Sequence, residues 1–204
     1  MKNFQAKFIT SVADCKNFYG DNRPLIAISG KSNVGKSSLI NMLAGNKKLA
    51  KTSDTPGRTR LINYFDFGDF ILADLPGYGY AKVSAREKEK WAELLESFFA
   101  TQKITLLVAL FDIRHAPTAD DIQMVTYLYA NAIPFVAVAT KADKLPKTKV
   151  KPQLKDVSAA LRLGIDDIIC SSAEKGIGRS EIFSAIRSAI DASKNTLDTM
   201  GDAE

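Results

Sequence analysis

Cysteine and histidine are nearly absent from the 204 residues: two cysteines, Cys15 and Cys170, and one histidine, His115. Two distant cysteines without a Cys-x-x-Cys pair argue against a disulfide framework and a zinc site, and fit a reducing cytoplasm. No apolar run approaches the roughly 20 residues needed to span a bilayer. Met1-Lys2-Asn3-Phe4 lacks the apolar core of a signal peptide, so a soluble cytoplasmic protein without a membrane partner is expected. Internal repeats and low-complexity linkers are missing, and the length suits one α/β domain with a proper core. Neither charge sign is scarce. The net is +5, and because Lys194 stands against Asp198, Asp202 and Glu204, the body of the chain is more basic than its tail. A basic body suits a polyanionic partner, although mixed lysines and acids suit an ordinary solvated surface equally well.

What is present is order. Apolar runs at 25–28, 61–67, 70–73, 104–111, 134–139 and 167–170 alternate with helix-period segments. This pattern predicts a mostly parallel sheet with helices on both faces. Trp91, Leu94, Leu95, Phe98 and Phe99 recur at helical spacing on one face, which reads as core packing. Further helices are expected at 38–43, 119–129, 151–163 and 179–192. Residues 1–23 form an extension packed on the domain, either as an edge strand or over the sheet. A domain follows over 24–192, and 193–204 is small, polar and expected to fray.

Directly after the first buried run stands Gly30-Lys31-Ser32-Asn33-Val34-Gly35-Lys36-Ser37-Ser38, which matches G-x-x-x-x-G-K-[ST] in a strand–loop–helix context. Glycines let backbone N–H groups turn around phosphate oxygens, and the following helix offers its positive end. Lys36 is expected to reach the β- and γ-phosphates and Ser37 to ligate magnesium. Downstream, the run 70–73 ends in Asp74-Leu75-Pro76-Gly77. Asp74 would hold magnesium through a water, and the Gly77 N–H would meet the γ-phosphate. Between the two lies a polar segment, Lys51-Thr52-Ser53-Asp54-Thr55-Pro56-Gly57-Arg58-Thr59-Arg60, leading into Leu61. Such a segment can order around a ligand, with Thr59 the chosen magnesium ligand and Thr55 the runner-up.

Base choice rests on Thr140-Lys141-Ala142-Asp143, a variant of Asn-Lys-x-Asp. An aspartate there can accept from both N1–H and the 2-amino group of guanine. Adenine offers neither donor and would leave the carboxylate unpaired, at about 1–3 kcal/mol or more. Lys141 would lay its stem along the base. Thr140 in place of asparagine is expected to loosen this loop. Ser171-Ser172-Ala173 supplies a short turn for the guanine O6.

With these elements in order, the chain resembles the bacterial EngB/YihA/YsxC family of ribosome-biogenesis GTP-binding proteins over nearly its whole length. The match is carried by G-K-S-N-V-G-K-S-S from Gly30, T-P-G-R-T-R from Thr55, D-L-P-G-Y-G-Y-A from Asp74, D-I-R-H from Asp112 and T-K-A-D from Thr140. The resemblance implies a three-layer P-loop NTPase fold of the Ras-like G-domain kind. It also implies a GTP/GDP switch in large-subunit assembly, touching ribosomal RNA and proteins; a monomer is expected, and cell division is a further expected association. Two other functions share these motifs: a related GTPase of tRNA modification or division, and a nucleotide-gated RNA-binding protein whose hydrolysis is incidental. Lys144, Lys147, Lys149, Lys151 and Lys155 could contact phosphates or simply be solvated.

One more absence bears on chemistry. Many GTPases place a glutamine after Asp-x-x-Gly to orient the attacking water, but this chain has Tyr78. Slow turnover is expected, with Lys36, Gly77 and Thr59 as the catalytic set. The missing positive group is a potassium ion, Arg58 or Arg60, or something from the ribosome; Asn33 matches the asparagine of potassium-stimulated relatives. Asp112, Arg114 and His115 should lie on the nucleotide-facing rim, with His115 in a structural or partner contact.

Overall fold

The computed structural model describes residues 5–13, 17–51, 61–79 and 85–201. At its centre is β2 (Leu25–Gly30), buried at all six positions. A strand covered on both faces needs apolar side chains on both, and here Ile26 and Ile28 enter one core while Leu25 and Ala27 enter the other. The neighbours are β4 (Ile71–Asp74) on one side and β5 (Ile104–Asp112), β6 (Phe135–Thr140) and β7 (Ile168–Cys170) on the other, all parallel. Beyond β4, β3 (Ile62–Asp66) and β1 (Lys7–Val12) complete the order β1-β3-β4-β2-β5-β6-β7 with antiparallel pairings. The N-terminal extension therefore supplies an edge strand.

Helices α1 (Lys36–Ala44) and α5 (Arg179–Gly201) cover one face, through Leu39, Ile40 and Leu43 and through Ile182, Ile186 and Ile190. Helices α2 (Ala85–Thr101), α3 (Ala119–Ala130) and α4 (Lys147–Leu161) cover the other. Of the α2 stripe, Leu94, Leu95 and Phe98 are buried and Phe99 packs against them, while the Trp91 side chain lies outside the described residues. Arg179 donates to the carbonyls of Met42 and Leu43 at 2.9 Å each, so the carbonyls left over at the end of α1 are satisfied from α5.

Two boundaries differ from the sequence expectation. α4 starts at Lys147, not 151, and carries Pro152 inside it. Pro152 stands in the second turn, where it forgoes the bond to the Thr148 carbonyl. The helix stops at Leu161 because Arg162 turns left-handed, at φ 56°. α5 runs on past Ala192 through Gly201, where a frayed tail was expected; no proline interrupts it.

The parallel strands all end on one edge of the sheet. Gly30, Asp74, Asp112, Thr140 and Cys170 are the last residues of β2, β4, β5, β6 and β7. The motif residues are thus gathered by topology, as expected at the carboxyl edge of an open parallel sheet.

Candidate nucleotide-binding site

The phosphate end begins where β2 runs out. A Cβ on Gly30 would lie 2.9 Å from the Leu110 carbonyl oxygen and from Val34, so only glycine fits this turn. Asn33 is left-handed at φ 62° and Gly35 at φ 111°, and α1 starts at the next residue, Lys36. Asparagine is among the few side chains that take this conformation readily. The loop 30–35 thus curls around the helix start, and Lys36, Ser37 and Ser38 form the first turn of α1. Successive amides facing one point above a helix N-terminus make an anion cradle.

Lys36 Nζ lies 3.9 Å from Asp74 Oδ1, inside ion-pair reach but too long for a hydrogen bond. Asp74 ends β4 only 7% exposed, and its Oδ1 is buried without a hydrogen-bond partner. Burial pushes its carboxyl above the usual range, opposed by the Lys36 charge and by a side-chain hydrogen bond from Asn63. Asn63 is itself held: Ser11 Oγ donates to its Oδ1 at 2.6 Å. That bond turns the Asn63 amide N–H₂ toward Asp74. Edge strand β1 therefore orients the site carboxylate through β3. Motif reading could not find Ser11 or Asn63, because the link exists only across strand pairing, Asn63 standing opposite both Ser11 and Asp74.

An orphaned buried carboxylate oxygen beside a lysine and the Ser37-bearing helix start is a donor set that suits a hard divalent cation. Thr59, with Thr55, Gly57, Arg58 and Arg60, lies outside the described residues; Leu61, half-buried, leads into β3. Among the described residues no three His, Cys, Asp or Glu side chains cluster as a metal group.

Asp74-Leu75-Pro76-Gly77 leaves β4 under the phosphate loop. Leu75 is fully buried, its N–H donating to the Ile28 carbonyl at 2.9 Å, and a Cβ on Gly77 would come within 3.1 Å of Ser32. The Ser32 N–H donates to the Tyr78 carbonyl at 2.9 Å, and Lys31 and Tyr78 form a parallel bridge. The Tyr78 phenol is 5% exposed, and its hydroxyl donates to Asp121 Oδ1 of α3 at 2.8 Å. Burial, with the Asp121 charge, holds that phenol protonated far above its ordinary range.

The end expected to read guanine is built from side chains already paired. Thr140, 4% exposed, places Oγ1 2.7 Å from the Val34 carbonyl and 3.0 Å from the Phe111 carbonyl, the one proton shared between them. From sequence, Thr140 is expected to loosen the loop; it does not. It fastens the loop to the phosphate loop, because the short hydroxyl reaches the acceptor directly. Lys141 takes a left-handed backbone, φ 62°, and its stem passes 3.8 Å from where a Cβ on Gly35 would sit. Its Nζ donates to the Asn33 carbonyl and, at 2.9 Å, to Asp112 Oδ2.

Asp112 also receives Arg114 at 2.7 and 2.9 Å. Desolvation would raise its carboxyl, but Arg114 and Lys141 outweigh that and hold it down at about 2. It thus sits at the carboxyl edge of the sheet, where it holds Lys141 Nζ. His115 is exposed in the turn after β5, where its N–H donates to the Asp112 carbonyl at 3.2 Å.

Asp143 Oδ1 accepts from Ser172 Oγ at 2.6 Å, and Lys144 Nζ lies 3.1 Å from Oδ2. The Ser172 bond leads the causes that lower its carboxyl, so it remains an ionised acceptor with lone pairs to spare. The turn behind it is fixed by Ser171 N–H to the Ala139 carbonyl at 2.8 Å and Ala142 N–H to the Ser171 carbonyl at 3.0 Å. Ala173 follows at the half-exposed surface. Of the lysines beyond this loop, Lys144, Lys147, Lys149, Lys151 and Lys155 are all exposed, and Lys144 is bonded to Glu174 at 2.7 Å.

Residues 25–141 match the family model described as "50S ribosome-binding GTPase". The chain is 46% identical over 189 residues to a probable GTP-binding protein EngB of Pelotomaculum thermopropionicum, covering 91% of this chain and 96% of that one. It is 40% identical over 185 residues to the Geobacillus kaustophilus counterpart, covering 89% and 95%. A crystal structure of a probable GTP-binding protein EngB superposes with a TM-score of 0.68 at 22% identity, over 82% of this chain and 99% of that one. Era, crystallised with MgGDPNP and nucleotides 1506–1542 of 16S ribosomal RNA, superposes with a TM-score of 0.65 at 25% identity, over 80% of this chain and 55% of Era.

Proposed function

Because the chain belongs to the EngB family of GTP-binding proteins, and so is a GTP-binding GTPase, we propose that it is a slow, magnesium-dependent switch in assembly of the large ribosomal subunit. The observation that carries the reading is the shared edge: the phosphate loop, Asp74 and the Asp143–Ser172 pair end parallel strands side by side. A guanine nucleotide laid along it would meet amides and Lys36 at its phosphates and an ionised aspartate at its base.

Ser37 and Asp74 would hold magnesium, completed by Thr59. When bound, the ion supplies positive charge against the β- and γ-phosphates. The chain's own residues position and shield: loop amides fix the phosphates, Lys36 faces the charge that spreads onto the γ-oxygens, and the Gly77 N–H senses the γ-phosphate. Tyr78 offers the attacking water nothing, because its hydroxyl is committed to Asp121. Slow turnover follows, relieved by potassium near Asn33, by Arg58 or Arg60, or by a ribosomal group.

The large ribosomal subunit is supported by the match to the 50S ribosome-binding GTPase family, and a polyanionic partner by the net charge of +5. We propose a cytoplasmic monomer. No helix among the described residues is long and apolar enough to cross a membrane. Sedimentation with large-subunit precursors should show GTP-dependent association that GDP weakens. Association indifferent to nucleotide would refute the switch. Turnover should rise in potassium over sodium chloride at equal ionic strength, and equal rates would remove the potassium ion.

A further inference from the structure

Tyr78 is buried, polar and unused by the chemistry above, and it makes two bonds in opposite directions. Its carbonyl takes the Ser32 N–H of the phosphate loop at 2.9 Å, and its hydroxyl goes to Asp121 Oδ1 at 2.8 Å. The second oxygen of Asp121 is spent on the helix cap: Thr118 N–H and Thr118 Oγ1 both donate to Oδ2 at 2.7 Å. One carboxylate, 7% exposed, therefore closes the N-terminus of α3 with one oxygen and holds the residue after Gly77 with the other. Gly77 has no slack of its own, since a Cβ there would sit 3.1 Å from Ser32. Gly79, left-handed at φ 76°, is hemmed in by Lys31 on one side and Asp120 of α3 on the other.

We propose that Tyr78 is a positioning residue: by bridging Ser32 and Asp121 it fixes the Gly77 amide over the phosphate loop and couples γ-phosphate binding to the first turn of α3. The geometry requires this coupling to run both ways. A displacement of Gly77 is felt at Asp121 through a buried hydroxyl that has no room to find water. A distortion of the α3 cap moves the amide that distinguishes GTP from GDP, by the same factor. The inference rests on the phosphate site being the GTP site. It adds that α3, which carries none of the nucleotide motifs, belongs to the switch.

Tyr78→Phe keeps the ring and removes only the hydroxyl. Affinity for a non-hydrolysable GTP analogue should fall about tenfold, the lower end for losing a hydrogen bond to a charged group, while GDP affinity stays unchanged. Amide hydrogen exchange at residues 119–122 should differ between the GDP and analogue complexes of the native protein, and that difference should vanish in Tyr78→Phe. Asp121→Asn, which keeps an acceptor for Tyr78, should retain more discrimination than Asp121→Ala. An unchanged or tightened analogue affinity in Tyr78→Phe, or α3 exchange that ignores the nucleotide in the native protein, would overturn the coupling. Loss of GDP binding in the native protein would instead overturn the phosphate site itself.

Discussion

The two ends of the proposed nucleotide site are made of different material. The phosphate end is backbone: a glycine-punctuated loop, amides over a helix start, and a carboxylate oxygen without a partner at Asp74. The guanine end is side chain, each already satisfied: Thr140 on Val34, Lys141 on Asp112, Asp143 on Ser172. A backbone cradle reads charge and accepts any phosphate of the right size; a pre-paired set of side chains reads a donor pattern. Affinity should therefore be concentrated at the first end and selectivity at the second.

The comparison breaks most visibly at Lys36. Lys36→Ala should lower GTP and GDP affinity by roughly 100-fold or more, as expected for losing charge-assisted bonds to phosphate, with little change in thermal stability. Fluorescent-nucleotide titration checks it; a loss confined to one nucleotide would mean Lys36 reads the γ-phosphate alone. Next comes Asp143→Asn, which should cut GTP affinity at least about tenfold and move preference toward xanthosine triphosphate, whose 2-oxo group wants a donor. Unchanged base preference would place the guanine contact elsewhere.

Thr140→Val tests the seam between the ends. It strands buried carbonyls at Val34 and Phe111, so stability should drop by about 1–3 kcal/mol. Nucleotide affinity should fall only several-fold, equally for GTP and GDP. Thr140→Asn, restoring a donor, should recover much of both in denaturant titrations.

The smallest effect concerns pH. Asp112 is held down at about 2 in the folded protein, so its contribution is fully present above the ordinary carboxylate value and is lost as pH falls toward 2. Asp112→Asn should cost about 1–2 kcal/mol at neutral pH, allowing for solvent screening, and the gap to the native protein should close below about pH 4. A gap independent of pH would mean that packing, not charge, is what Asp112 supplies.

Much of this was legible in the sequence because the phosphate motif is a local object: Gly30 to Ser37 fold into the cradle through their own φ angles and the helix they begin. The strand runs were legible too, since a parallel strand buried on both faces, such as Leu25–Gly30, is apolar at almost every position, Ser29 excepted. What escaped is non-local. The hydroxyl of Thr140 finds Val34 across 106 positions, and Ser11 steadies Asp74 only because β1 and β4 flank β3. Tyr78 shows in sequence as a missing glutamine, but its burial against Asp121 depends on where α3 starts. The early start of α4 was not legible because 147–151 is mostly lysine, with Val150 its one apolar residue, and carries little apolar period.

The fastening of the base-reading loop has a consequence for sequence drift. Thr140 and Lys141 attach to the phosphate loop through the carbonyls of Val34 and Asn33, not through their side chains. Main-chain acceptors are the same in every residue. The fastening itself therefore does not depend on which side chains stand at 33 and 34; what restricts those positions is the left-handed backbone of Asn33 and the burial of Val34 in the core.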